Sequence, residues 1–418
     1  MRSAEQLDTP EAVLAVIFAP NRPGDIYPWY HRLRALAPLH HVAGFHGQPA
    51  WIASSWSAVH RIARDPRMRS DPKTLDIYSV GEAGRGFDAM MRRLMLFLPR
   101  TDHDRVRATV SASFTPRAVE THRRLARQVV DRLIDDLAEG HFDLVRDFAY
   151  PLPVFIICRM MGIPHEDVPL FIGWAHDFAA RGDIGPRLGA EAIRAGEAAT
   201  AGFQDYFARL IARRRRDPGD DLMSAMIAGR AGGVALTDDE IVAAAVLLLQ
   251  AGHSTTADLI GMGTRHLLLH PDQWRLLIER PDIVAGAVME LLRYDSSVQM
   301  SHRVAVEDFE VEGRTIRKGD LCLLLNGAAN RDPAAVPDPD RLDLLRTGIN
   351  TAPFGGGPYM CLGQYLARVE LQEAFLGLTR RMPDLALCGE DAVYAGGVTL
   401  RGLAALPVRS DRPHRHAA

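Results

Sequence analysis

A single cysteine, Cys361, lies inside a glycine-rich segment that runs directly into a helical pattern, and no other feature constrains this chain as much. The segment reads Phe354-Gly-Gly-Gly-Pro-Tyr359-Met-Cys361-Leu-Gly363. Three consecutive glycines and Pro358 cannot hold a regular helix or strand, so the backbone is predicted to turn tightly and to approach a flat ligand closely. Free amides at the following helix start favour a thiolate. Cys361 is therefore a candidate metal ligand.

Two other interpretations of Cys361 stay open at this point. An isolated cysteine in an intracellular protein is most often a small buried apolar residue. A nucleophilic cysteine needs a histidine partner, which 16 histidines can supply, but that role does not account for the glycines. The chain has four widely spaced cysteines and no C-x-x-C pair, which argues against disulfides and structural zinc.

A second segment, Ala251-Gly252-His-Ser254-Thr255-Thr256, lies within a long helical pattern that begins at a capping box, Thr237-Asp-Asp-Glu240, and continues to about His270. The helix is predicted to span about 50 Å. Gly252 weakens it where three hydroxyls can bond to carbonyls four residues earlier, so we expect a bulge that leaves polar groups free for water or ligand. A plain bend in a core helix is the alternative.

Two further patterns place charges on helical faces. Glu290 and Arg293 are three residues apart and can form an ion pair, although most such pairs are solvated. His103 and Arg107 are four residues apart and can both donate to an anionic group. A charged surface face is the default interpretation of the second pattern.

Taken in order, these segments resemble the cytochrome P450 family from about residue 20 to Val408. The spacing F-G-x-G-x-x-x-C-x-G is similar to the family's haem-thiolate segment, which implies haem b with Cys361 as the proximal iron ligand and with Phe354 and Gly363 beside the cofactor. The likeness to A-G-x-[DE]-T-T implies that Thr255 is the oxygen-activating threonine. Ala251, Gly252 and Ser254 then belong to the same oxygen pocket, and Ser254 replaces the family's acid.

The same resemblance implies further roles. His103, Arg107 and Arg303 are expected to hold the haem propionates, with Tyr359 at a position where the family usually has histidine or arginine. A neutral phenol donates a weaker hydrogen bond than a cation. The stretch Pro339-Asp-Arg341-Leu342 implies that Arg341 joins Glu290 and Arg293 in an ionic network.

Several residues are candidates for a substrate pocket. Leu247 and Leu248 share a helical face with Thr255, although core packing explains them equally well. The resemblance adds seven positions, of which Gln299 and Thr399 are the polar anchors: Phe87, Met91, Leu94, Val298, Gln299, Val398 and Thr399. The expected substrate is an apolar small molecule with some polar handles.

Bulk properties bound the remaining possibilities. A net charge of −3 and a pI of about 6.6 give no support for a nucleic-acid partner. No apolar run approaches about 18 residues, and the N-terminus lacks a signal or anchor pattern, so a soluble, cytoplasmic monomer is expected. We predict one mainly α domain over residues 1–418 with a small β region, a long central helix over the haem, and flexible ends at 1–20 and 409–418.

Helical patterns cover about 119–139, 153–161, 167–181, 188–216, 238–270, 272–278, 283–294 and 361–381. The pairs His41-Val42 and Trp51-Ile52 and the runs Phe309–Val311 and Asp320–Leu325 are predicted to form a small sheet.

The resemblance implies a monooxygenase that hydroxylates or epoxidises its substrate with dioxygen and with electrons from an external ferredoxin-type partner. One alternative is that the same haem serves oxidative coupling, ring closure or peroxide-driven oxidation, where a missing acid matters less. A different class is a haem-binding protein that senses or stores a ligand without turnover.

Overall fold

A computed structural model describes residues 3–19, 24–45, 48–70, 81–137, 139–182, 189–229, 235–348, 351–389, 392–395 and 397–411. Helices dominate this part of the chain, and the strands form small sheets. The α-helices are α1 Pro10–Ile17, α2 Tyr27–Leu36, α3 Trp56–Arg64, α4 Arg85–Met91, α5 Arg100–Ser111, α6 Pro116–Glu120, α7 Arg123–Asp135, α8 Pro151–Met160, α9 Val168–Arg181, α10 Ala190–Arg216, α11 Leu222–Ile227, α12 Asp238–Leu269, α13 Pro271–Glu279, α14 Val284–Tyr294, α15 Asn326–Asn330 and α16 Gln364–Arg381.

The strands are mostly short. They are β1 Leu39–Phe45, β2 Gln48–Ala53, β3 Met68–Arg69, β4 Gly140–Asp143, β5 Met300–Ala305, β6 Phe309–Val311, β7 Arg314–Ile316, β8 Leu321–Leu325, β9 Ala386–Leu387, β10 Tyr394–Ala395, β11 Gly402–Leu403 and β12 Pro407–Ser410. The largest sheet has the order β1-β2-β8-β5-β3, in which only the β2 and β8 pair is parallel.

The sheet prediction is partly wrong. β6 pairs with β7 in a separate hairpin and not with the larger sheet. Glu312 and Gly313 join the two strands with positive φ angles of 51° and 68°. Positive φ at both central residues matches the twist of a two-residue hairpin, so the turn closes β6 onto its sequence neighbour.

The long helix α12 forms as predicted, with 32 residues and the Thr237–Glu240 capping box in place. Glu240 also accepts hydrogen bonds from Arg105 of α5, and this pairing lowers the pKa of Glu240 to about 2. The predicted bulge is wrong, because α12 remains an α-helix throughout. A π-helical turn occurs instead at Val145–Ala149, before α8, and it packs against α12.

Parts of both chain ends form regular secondary structure in the described residues. Thr9 caps α1, whose Val13 and Ile17 are fully buried against the rest of the core. At the other end, β12 pairs with both β4 and β9 through Ser410 and Arg409 respectively. The flexibility of the ends at 1–20 and 409–418 stays a prediction.

A carboxylate of α10 fixes the start of α4. Glu197 accepts hydrogen bonds from the backbone N–H groups of Gly86 and Phe87 at 3.0 and 2.9 Å. A Cβ atom added at Gly86 would lie 2.4 Å from the same carboxylate, so only glycine permits this contact. Among the described residues, no helix is both long and apolar enough to cross a membrane.

Candidate functional site

The glycine-rich segment turns as tightly as predicted. Gly355 and Gly357 have φ angles of 73° and 65°, which favour glycine. A Cβ atom at Gly357 would lie 2.7 Å from the carbonyl oxygen of Ala63 in α3, so the loop packs directly on that helix. The Cys361 N–H donates to the Phe354 carbonyl at 2.9 Å and closes the turn.

Cys361 immediately precedes α16, and its side chain is exposed. Desolvation by the surrounding protein atoms raises the pKa of the Cys361 thiol. The N–H of Gly363 and the guanidinium of Arg107 lower it. The helix start thus stabilises a thiolate, as predicted, but desolvation outweighs it in the protein alone. A positive partner at the sulfur would reverse that balance.

Two arginines near Cys361 lack carboxylate partners. Arg107 forms no ion pair with any described residue, and burial lowers its pKa despite the nearby Cys361. Arg303 is 6% exposed and donates through Nη1 to the His302 carbonyl, but its Nε finds no acceptor among the described residues. Burial lowers the pKa of Arg303 to about 10. Buried cations of this kind require an anionic partner.

Tyr359 connects the remaining members of this group. The ring centroid of His103 lies 4.6 Å from that of Tyr359, and the Arg303 guanidinium carbon lies 4.6 Å from the same Tyr359 centroid. The Tyr359 hydroxyl is buried and has no hydrogen-bond partner in the described part of the chain. The structure therefore brings together three distant parts of the sequence, namely His103 with Arg107, Arg303, and Tyr359 with Cys361.

The donor set fits haem b. Its two propionates are anions, and the site offers two partly or fully buried guanidinium groups together with an unpaired phenol. The iron of haem also requires a soft ligand, and the sulfur of Cys361 supplies it. Among the described residues, neither guanidinium forms an ion pair with a carboxylate, and the Tyr359 hydroxyl has no hydrogen-bond partner.

The middle of α12 presents one accessible face. Ala251, Gly252, Ser254, Thr255 and Asp258 are accessible, whereas the neighbouring residues of this stretch are buried. Ser254 donates to the Gln250 carbonyl at 3.2 Å, and Thr255 donates to the Ala251 carbonyl at 3.0 Å. These are the back-bonds to residue i−4 that the sequence indicated, formed without the expected bulge.

His253 and Glu370 lie on other sides of the same helix. Nδ1 of the buried His253 faces the Leu249 carbonyl at 3.0 Å and must donate to it, so Nε2 accepts from the Tyr150 hydroxyl at 3.0 Å. Burial lowers the pKa of His253 to about 4. Glu370 of α16 is hydrogen bonded with Thr256, and burial raises its pKa.

Asp258 was missed by the sequence interpretation. Ser297 donates to its Oδ2 at 2.8 Å, and its Oδ1 would lie 1.9 Å from a Cβ atom at Gly402. Burial raises the pKa of Asp258 to about 7. Its spacing of four residues from Ser254 and three from Thr255 was the available signal, because such spacings place side chains on one helical face.

The ionic network forms, but one predicted member is wrong. Arg293 binds Glu290 through two bonds of 2.7 and 2.8 Å, and both side chains are buried. The third member is Arg346, whose Nε lies 3.2 Å from Oε1 of Glu290. Arg341 is 70% exposed and contributes only its backbone carbonyl, because Asp338, with a φ of 48°, turns the chain so that this carbonyl faces inward.

The polar pocket candidates differ from each other. Gln299 is 1% exposed, and its amide is occupied by the Tyr30 hydroxyl at 2.9 Å and by the Ser296 carbonyl. Its assignment as a substrate anchor is therefore wrong, since the surrounding core already satisfies the group. The Thr399 hydroxyl, in contrast, is buried and has no partner among the described residues.

The apolar pocket candidates are largely buried. Phe87 is fully buried between Phe178, at a centroid distance of 4.6 Å, and the Arg181 guanidinium at 4.5 Å, so it is a core residue. Val298 is partly accessible and forms a β-bridge with Leu400. The others are 3–8% exposed: Met91, Leu94, Leu247, Leu248 and Val398.

Comparison with known proteins identifies the family. The cytochrome P450 family model matches residues 190–381. The cytochrome P450 monooxygenase PikC of Streptomyces venezuelae is 35% identical over 392 residues, which cover 92% of this chain and 91% of that protein. The chain belongs to the cytochrome P450 family. As a P450 it carries haem b bound through a cysteine, and it is an oxidoreductase of the monooxygenase class.

Solved P450 structures confirm the mainly helical fold with its small β region. The structure of P450BioI in complex with hexadec-9Z-enoic acid ligated acyl carrier protein has a TM-score of 0.85 at 34% identity, covering 92% of this chain and 98% of that one. CxnD, a P450 enzyme for C-S bond formation in chuangxinmycin biosynthesis, has a TM-score of 0.84 at 31% identity, covering 95% and 98%. Membership in an enzyme family removes the ground for a non-catalytic sensor.

Proposed function

We propose that this P450 inserts oxygen into an apolar small molecule, with Cys361 as the iron ligand and with Arg107, Arg303, His103 and Tyr359 around the propionates. The observation that carries the proposal is a cluster beside the exposed Cys361: two guanidinium groups without a carboxylate partner, and a phenol without a hydrogen-bond partner, among the described residues. When bound, haem supplies the redox chemistry that activates dioxygen. We further propose a ferredoxin-type electron donor and a monomer in the cytoplasm. One domain over the whole chain stays a prediction.

The residues of the chain do the binding and positioning. Gly355 and Gly357 let the loop lie flat against α3, and the Gly363 N–H donates to the Cys361 sulfur. Thr255 and Ser254 place two hydroxyls on the accessible face of α12, where they can hold water in the oxygen pocket. Thr399 offers an unpaired hydroxyl to a polar group of the substrate.

A second candidate is oxidative bond formation without oxygen insertion. Ser254, whose hydroxyl is engaged with the Gln250 carbonyl, cannot act as an acid near neutral pH. Coupling and ring closure depend less on proton delivery to dioxygen, and the similarly folded CxnD forms a C–S bond. Natural products with both oxidisable C–H bonds and internal nucleophiles are the substrates to compare.

The central test is the absorption spectrum of the ferrous carbon-monoxide complex. We expect the wild-type protein to show the red-shifted Soret band of thiolate ligation and Cys361→Ala to lose it. Cys388→Ala is the matched control, because Cys388 is also an exposed free cysteine. An unchanged spectrum in Cys361→Ala would overturn the assignment. A spin-state screen with candidate natural products then identifies ligands, and product analysis separates insertion from coupling.

A further inference from the structure

Oxygen insertion consumes protons, and a group of the chain must pass them from solvent to the oxygen pocket. The reaction converts a C–H bond into C–O–H and releases the second oxygen atom as water, using two electrons from the ferredoxin-type partner and two protons from solvent. A relay needs an acid whose pKa lies near the working pH and which sits within reach of the reacting atoms, directly or through one water. Ser254 lacks that acidity.

Among the described residues, the titratable groups at the middle of α12 include His253, Glu370 and Asp258, and the first two are turned away from its accessible face. Both ring nitrogens of His253 are occupied by Leu249 and Tyr150. Glu370 is 1% exposed and bonds with Thr256, which is itself buried. Only Asp258 lies on the accessible face together with Ala251, Ser254 and Thr255.

We propose that Asp258 is the proton reserve of the oxygen pocket and delivers protons through an intervening water to Thr255. This inference rests on the proposed function. Asp258 is three residues from Thr255 and four from Ser254, so its Cβ atom lies about 5–6 Å from theirs, a distance that one water bridges. Asp258 therefore acts through Thr255 and one water, without contacting the substrate itself.

The surroundings hold the Asp258 carboxyl in place while leaving it able to exchange a proton. Ser297 donates to Oδ2, and the backbone of Gly402 confines Oδ1. No arginine or lysine within the described ranges forms an ion pair with Asp258, so nothing locks it in the ionised form. Burial raises its pKa to about 7, where both protonation states are populated near neutral pH.

The charged and titratable groups on the neighbouring elements are engaged elsewhere. Tyr150, which precedes α8, has a pKa raised by burial and by Asp258, and its hydroxyl donates to His253. Arg401, beside Gly402, binds Asp295 at 2.9 Å. On α16, Glu370 faces Thr256, and on α9, His176 and Asp177 are exposed. Because its pKa is raised, Tyr150 stays neutral near pH 7, so the titration of Asp258 can be followed separately.

The first test is infrared spectroscopy of the holoprotein. Below about pH 7 the wild type should show the carbonyl stretch of a protonated carboxyl, and this band should be lost above that pH. Asp258→Asn should lack the band, and Ser297→Ala should shift its frequency because a hydrogen bond to the carboxyl is lost. Identical titration difference spectra for wild type and Asp258→Asn would overturn the proposal.

The second test is turnover with a ligand from the spin-state screen, a plant-type ferredoxin, its reductase and NADPH. Asp258→Asn should consume reductant about 10²-fold more slowly, in line with the usual contribution of a positioned proton donor. Moving the acid back one turn, in Ser254→Asp/Asp258→Asn, should restore the rate. Glu370→Gln is the matched control and should turn over like the wild type.

The outcomes separate this inference from the proposed function. If the wild type lacks the thiolate Soret band, the proposed function fails. If the band is present and Asp258→Asn turns over normally, only the role of Asp258 fails. A slow Glu370→Gln beside a normal Asp258→Asn would assign the proton reserve to Glu370 and also overturn the proposal. Slow turnover in Asp258→Asn that the double variant does not restore would show a structural role instead.

Discussion

The Arg303 guanidinium carbon lies 4.6 Å from the centroid of the Tyr359 ring, so a cation that the family uses at the haem edge rests on the residue that departs from the family pattern. His103 contacts the same ring at a centroid distance of 4.6 Å. Tyr359 thus has two separable roles, since its ring packs between His103 and Arg303 and its hydroxyl is an unpaired donor.

Substitutions at Tyr359 should separate those roles. Tyr359→Phe keeps the ring and loses one neutral donor, so haem should dissociate only slightly faster. Tyr359→Ala removes the support of His103 and Arg303, and Arg107→Ala removes a cation, so both should release haem much faster. The rate of haem transfer to apomyoglobin measures this order. Arg280→Ala, which breaks an exposed pair with Asp282, is the control. Faster loss from Tyr359→Phe than from Arg107→Ala contradicts the ranking.

Variants of Arg346 and Arg341 provide a matched test of the ionic network. Arg346→Ala removes a nearly buried partner of Glu290 and should destabilise the protein by about 3 kcal/mol, as expected for breaking a buried ion pair. Arg341→Ala removes an exposed side chain and should change the free energy of unfolding by at most about 0.5 kcal/mol. Urea denaturation of the haem-loaded protein measures both. Greater destabilisation by Arg341→Ala would restore the original assignment.

The bond between Gln299 and Tyr30 predicts a double-mutant cycle. Gln299→Leu leaves the Tyr30 hydroxyl buried without this partner and should cost about 1–3 kcal/mol of stability. Tyr30→Phe should therefore cost much less in the Gln299→Leu background than in the wild type. Ligand-induced spin shifts should be unchanged in all three variants that still bind haem. A loss of ligand affinity with unchanged stability would instead make Gln299 a substrate anchor.

Asp258 predicts a pH dependence of stability. Its pKa is 3.8 in the unfolded chain and about 7 in the folded protein, so between these values the folded state holds one proton more. Stability from this group is highest below the unfolded pKa and falls as pH rises, by at most about 1.4 kcal/mol per pH unit. Asp258→Asn lacks this loss, so its stability relative to the wild type should increase from about pH 4 to about pH 7. Parallel curves from chemical denaturation would refute the raised pKa.

The sequence predicted what depends on local spacing. The helical ranges 167–181, 188–216, 238–270 and 283–294 correspond closely to α9, α10, α12 and α14, because apolar periodicity and caps are encoded locally. The proximity of His103, Tyr359 and Arg303 agrees with the expected cluster, while their roles at the haem stay a prediction. Ser254 and Thr255 formed the back-bonds that their spacing indicated.

The rest depended on packing between distant segments. Arg346 replaces Arg341 because the backbone turn at Asp338 decides which guanidinium faces Glu290, and a motif does not specify that turn. Gln299 is polar and near the expected pocket, but the hydroxyl of Tyr30, 269 residues away in the sequence, donates to its amide oxygen. The bulge at Gly252 failed because the hydroxyl back-bonds fit a regular helix, and α12 is packed along most of its length.

The contact between Glu197 and the first turn of α4 also couples two regions mechanically. If α10 moved alone, the N–H groups of Gly86 and Phe87 and the carboxylate of Glu197 would lose their hydrogen-bond partners together. We therefore expect α4 and α10 to move as one unit. Phe87 belongs to this unit, and its ring packs on Phe178 of α9. A bulky substrate that displaces α10 must therefore displace α4 as well, whereas a small substrate can leave both helices in place. We therefore expect the contact between Glu197 and α4 to limit the size of the substrate that this P450 admits.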